Sequence, residues 1–101
     1  MARVVAVFDD LLLGSNVLGM LRAAGHDASL SGADAQPAGA DALIVDLAST
    51  GFDGVALAER LRGEGELEHT RTLGVYSHVD ADTKRRAEAF DLDQVGPVRN
   101  P

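Results

Sequence analysis

The stretch Asp41-Ala-Leu-Ile-Val-Asp46-Leu-Ala-Ser-Thr-Gly51-Phe-Asp53-Gly54 decides how this chain folds. It starts with an unbroken apolar run, Ala42 to Val45. A strand covered on both faces reads this way, because it has no solvent side on which polar residues can alternate. The run stops on a carboxylate, Asp46. After a loop, Asp53-Gly54 opens a helical pattern. Open α/β sheets place their chemistry at the carboxyl ends of the strands. Asp46 is therefore the residue against which every other candidate is judged.

Toward the N-terminus, Arg3 to Phe8 is a second continuous apolar strand, and it also ends on carboxylates, Asp9-Asp10. Leu13, Val17, Leu21 and Ala24, with Leu18 beside them, repeat at helical spacing. Gly14 and Gly19 weaken that helix by about 1 kcal/mol each relative to alanine. Gly25 is a good C′ stop. His26 to Ser31 reads as a weak strand, and Gly32 to Ala40, with Pro37 in its middle, admits at most a turn or two of helix.

Toward the C-terminus, Val55, Ala58 and Leu61, with Leu57 beside them, predict an amphipathic helix from Gly54 to Arg62, capped by Asp53. Gly63 to His69 is a polar loop and Thr72 to Ser77 another strand. Asp80 or Asp82 caps a charged helix to about Phe90, and Gln94 to Val98 is a short last strand. Alternating strands and helices predict one α/β domain over residues 1–101 with a parallel sheet. The expected architecture is flavodoxin-like: a doubly wound five-stranded sheet in the order 2-1-3-4-5, with a short second helix and no fifth.

That order puts strands 1 and 3 side by side, so Asp9, Asp10 and Asp46 share one rim, with Ser77 closing the next strand. Carboxylates crowded together raise one another's pKa unless a cation offsets the repulsion. One or two carboxylates, a carbonyl and waters suit Mg²⁺. Beside such a metal, a carboxylate becomes a competent nucleophile toward a phosphoryl group. A nearby hydroxyl then lets a loop sense the modification.

The charge balance narrows the partners. With a net charge of −7 the chain repels phosphate backbones, so direct nucleic-acid binding is not expected. Cysteine is absent, which excludes disulfide and thiolate chemistry. No apolar run approaches membrane-spanning length, and the first residues do not form a signal peptide, so a cytoplasmic protein without membrane contact is expected.

Phe8-Asp9-Asp10, Asp46 followed by Asp53-Gly54, and Ser77 at a strand end resemble the receiver domain of bacterial two-component response regulators. The resemblance covers residues 3 to 100 and implies a signalling module, not an enzyme, working in a phosphorelay with a histidine kinase or another signalling protein. It implies Asp46 as phospho-acceptor, Asp9, Asp10 and Asp46 as the Mg²⁺ site, and Ser77 as switch hydroxyl. The chain also departs from the pattern. The lysine expected at the end of strand 5 is missing: Lys84 is the only lysine, and Arg99 is the candidate substitute. His78 follows the switch position where a small residue is usual, and Thr50 replaces a customary proline. These departures resemble an atypical, stand-alone receiver subgroup.

Three other readings compete. The first is a phosphorylation-independent pseudo-receiver that acts only by binding. The second is a small flavin or metal-dependent hydrolase domain, which lacks its phosphate loop because Asp-Asp-Leu-Leu-Leu follows strand 1. In the third, Asp9 and Asp10 merely cap a helix, and Lys84-Arg85-Arg86 is a solvated helix face. Without a fifth helix, part of the face beside helix 1 is expected to stay uncovered and to support a homodimer or a partner-bound state through the strand 1/strand 5 face.

Overall fold

The computed structural model describes residues 2–32, 34, 35, 37, 39–47, 51–76, 81, 82, 85 and 86, together with the backbone of 94–97. In chain order the elements are β1 (Arg3–Val7), α1 (Leu11–Ala23), β2 (Asp27–Ser31), β3 (Ala42–Asp46), α2 (Gly54–Gly63), β4 (Arg71–Tyr76) and β5 (Gln94–Pro97). The strands form one sheet in the order β2-β1-β3-β4-β5, and every neighbouring pair is parallel.

Alternation along β1 assigns its residues to two cores. Val4, Ala6 and Phe8 pack with Val17 of α1, Ala28 of β2 and Ile44 of β3. Val5 and Val7 join Leu43, Val45 and the α2 residues Val55, Leu57, Ala58 and Leu61. Both faces of the central strands are thus buried, which is why β1 is apolar from Val4 to Val7 and β3 from Ala42 to Val45. Complete burial of a side chain such as Leu43 contributes about 2 kcal/mol.

The amino-terminal rim is fastened by Asp41. Its carboxylate accepts from the Arg3 N–H at 2.8 Å, its own N–H donates to the Arg3 carbonyl, and its carbonyl accepts from Arg71. Thr70 adds a hydroxyl bond to the Ala40 carbonyl at 2.7 Å. One acid thus aligns the starts of β1, β3 and β4, while Asp9, Asp10 and Asp46 stand at the opposite rim.

Two expectations change. The short second helix is not seen among the described residues between β2 and β3. Ala35 bonds back to Gly32 and Ala40 to Pro37, giving turns, while Ala35, Pro37 and Ala40 are buried. Proline lacks an N–H and glycine favours turns, which fits the turns seen at the described residues of this segment. Gly14 is also more than a weak point in α1. A Cβ there would lie 2.9 Å from Leu30 Cδ1 and 3.1 Å from Phe8 Cβ, so its bareness lets the helix sit close to the sheet. Of the charged helix expected over 80–90, residues 81, 82, 85 and 86 are described and helical.

Candidate functional site

The register of the two central strands builds the site. Val7 pairs with Val45, so the next residues, Phe8-Asp9 on one strand and Asp46 on the other, leave the sheet at the same rim. Asp46 pairs with Val75 of β4, and the Leu47 N–H extends that ladder to the Val75 carbonyl at 2.8 Å. Asp46 is the last residue of β3 and only 3% exposed. A carboxylate so buried is retained only where neighbours satisfy it, and Asp46 is engaged within the fold.

Asp9 and Asp10 are exposed and do different things. Asp10 is the N-cap of α1: its Oδ1 accepts from the N–H groups of Leu12 at 2.9 Å and Leu13 at 3.1 Å. Asp9 faces the loop that follows β3. A Cβ built on Gly51 would lie 2.8 Å from Asp9 Oδ1 and closer still to its Cγ and Oδ2, so a larger residue there would require this carboxylate to turn.

The same loop presses on Asp46. A Cβ on Gly54 would meet the Asp46 carbonyl oxygen at 2.6 Å and Val45 Cγ1 at 2.8 Å. The segment from Gly51 to Gly54 therefore lies against Asp9 at one end and against the backbone of Asp46 at the other.

Between the two glycines, Asp53 caps α2 by accepting from the Ala56 N–H at 3.1 Å. Its second oxygen, Oδ2, pairs with Arg86 Nη2 at 2.8 Å. Partial burial pushes the Asp53 pKa up. The Ala56 N–H, the Arg86 hydrogen bond and charge, and the Val55 N–H outweigh it and hold the carboxyl below its ordinary value. Asp34, Phe52, Asp53, Ala56, Leu57 and Arg60 also line an open cleft of about 590 Å³.

The structure thus brings Asp9 and Asp46 to one rim and gives Asp10 a capping bond. Ser77, His78, Lys84, Thr50 and Arg99 lie outside the described residues. Among the described residues no group of three or more His, Cys, Asp or Glu side chains could by itself hold a metal ion. Sequence reasoning missed the close approaches of Gly51 and Gly54. It also missed Arg86, which belongs to a run read as a solvated face. The spacing Asp46 to Gly54 carried a signal for the glycines, whereas nothing in the chain pointed to the Arg86 contact.

Comparison with solved structures places this fold among receiver domains. The chemotaxis protein CheY4 of Vibrio cholerae superposes with a TM-score of 0.79 at 22% identity, covering 100% of this chain and 88% of that one. The non-phosphorylated HemR receiver domain of Leptospira biflexa gives 0.78 at 19% identity, over 100% and 85%. A Burkholderia pseudomallei response regulator with a phosphorylated aspartic acid, a calcium ion and citrate gives 0.76 at 14% identity, over 100% and 62%. At these identities the likeness is one of fold. No protein-family model and no curated protein matches the sequence.

Proposed function

We propose that this chain receives a phosphoryl group on Asp46 in two-component signalling and passes on its state by binding other signalling proteins. One observation carries the reading: β1 and β3 are neighbours in a register that ends Asp46 at the rim where Asp9 and Asp10 emerge. A carboxylate oxygen of Asp46 attacks phosphorus and the bond to the donor breaks. That bond is P–N for a kinase phosphohistidine and P–O for a small phosphodonor. An acyl phosphate remains; a departing histidine nitrogen takes up a proton from solvent, whereas acetate departs from acetyl phosphate as the anion.

The donor set suits Mg²⁺, which asks for one or two carboxylates among carbonyl and water oxygens and no closed cage. Asp9 and Asp46 hold it in this reading, with Asp10 contributing from the edge of its cap. Bound there, Mg²⁺ would neutralise charge on the entering phosphoryl oxygens. Ser77, one residue past β4, is the hydroxyl that bonds the new group, and Arg99 stands in for the missing lysine with a longer, planar cation. Leu11 and Leu12, 72% and 74% exposed beside the acidic rim, suit a protein partner.

Intact mass after incubation with acetyl phosphate and Mg²⁺ tests the reading. One phosphoryl group is expected on the native chain and none on Asp46→Asn. No added mass on the native chain would remove it. The phosphorylation-independent interaction module would then stand. That alternative is favoured by the Asp10 cap and by the absence of a metal-holding group among the described acids.

A further inference from the structure

The segment Gly51 to Gly54 touches the surroundings of both rim acids, yet it is moored by a residue far away in the chain. A Cβ on Gly51 would meet the Asp9 carboxylate and one on Gly54 the Asp46 carbonyl, so the segment lies close against both acids. Asp53, between the two glycines, is held at two points. Oδ1 binds the Ala56 N–H of its own helix, and Oδ2 binds Arg86, which is 33 residues on.

We propose that Arg86 is a positioning residue for the acidic rim: through Asp53 it holds the 51–54 segment against Asp9 and Asp46 and couples the rim to the helical residues 85 and 86. The proposal rests on the reading of Asp9 and Asp46 as the site and names how that site is held and reported. Both partners of the pair are about half exposed, at 47% and 48%. Pairs of this kind add little to global stability. Its effect is local, because it adds a long-range anchor to a short loop that is otherwise held by Phe52 packing on the core and by the start of α2. Any change at the rim that shifts the loop must carry Arg86 with it or break the bond.

The test uses Arg86→Gln, Arg86→Lys, Asp53→Asn and the double variant Asp53→Asn/Arg86→Gln in the whole chain. Asn keeps the cap to Ala56 and loses the ion pair. Amide exchange at Gly51 and Gly54, followed by NMR, should quicken about two- to fivefold in either single variant, the scale of one partly exposed pair. Arg86→Lys should recover part of this, and the double variant should go no further than the singles. The urea midpoint serves as the control and should barely move. Titration with Mg²⁺ alone should shift the Arg86 side-chain signals in the native chain and leave residue 86 unmoved in Asp53→Asn.

Unchanged exchange at Gly51 and Gly54 in both single variants would overturn the proposal. So would effects of the two variants that simply add. If Mg²⁺ produces no shift anywhere in the native chain, the receiver reading fails while the exchange results still decide the tether.

Discussion

At the scale of single residues, the site is shaped as much by what is absent as by its carboxylates. Gly54 opens α2, where alanine is ordinarily the better helix former, by up to about 1 kcal/mol. Its neighbours reverse that preference. An added methyl would stand 2.6 Å from a backbone oxygen and 2.8 Å from Val45 Cγ1, and a backbone atom of a central strand cannot swing aside. We expect Gly54→Ala to destabilise the fold by about 1–3 kcal/mol, the usual cost of overpacking. Urea unfolding followed by circular dichroism measures it, and an unchanged or higher midpoint would mean that α2 can lift from β3 without loss. Gly51→Ala makes the contrast. Its clash is with the carboxylate of an exposed aspartate, which can turn away. The stability cost should therefore be smaller, and the change should fall on the position of Asp9.

At the scale of elements, β2 is the sheet edge with the most telling detail. The Phe8 N–H bonds the Ser31 carbonyl, so by alternation Asp27, Ser29 and Ser31 face β1, while Ala28 and Leu30 turn their peptide groups outward. An open row of this kind invites strand pairing between molecules. Here Arg22 of α1 reaches over and donates through Nε at 3.3 Å and Nη2 at 3.1 Å to the Ala28 carbonyl. Replacing it by alanine should cost about 0.5–1.5 kcal/mol. It should also raise the average mass seen by sedimentation at tens of micromolar above that of the native chain; equal masses would show that the edge is guarded by something else. The contact also shows where sequence reading stops. β1 and β3 were legible because burial on both faces leaves an apolar run, and the rim of acids followed from their adjacency. Arg22 to Ala28, Gly51 to Asp9 and Arg86 to Asp53 leave no periodic trace. Each is a meeting of one side chain with one distant backbone or carboxylate, decided by how layers settle. Gly14 was legible only in part for the same reason, since its cost in the helix is local and its benefit lies in the sheet below.

At the scale of the whole molecule, an acidic chain with a net charge of −7 still places one carboxylate where acid should loosen the fold. Asp53 has its folded pKa held below the ordinary value of 3.8, with burial opposing and the Ala56 N–H, Arg86 and the Val55 N–H prevailing. The sign follows from linkage. A lowered folded pKa means the unfolded state binds the proton more readily. The contribution is therefore complete above the unfolded value and fades as pH falls through the folded one. The difference in unfolding free energy between the native chain and Asp53→Asn should be flat from neutral pH down to about pH 5. It should then shrink as the solution becomes more acid. Asn retains the helix cap, so the shrinking part isolates the charge on Asp53 and its pair with Arg86. Added sodium chloride should narrow the same gap at neutral pH, because half-exposed charges are screened within about 10 Å at 0.1 M salt. Urea titrations at a series of pH and salt values measure both trends. A gap that widens toward acid, or that ignores salt, would mean that Asp53 acts through its cap alone and that helical residues 85 and 86 are held to the loop by other contacts.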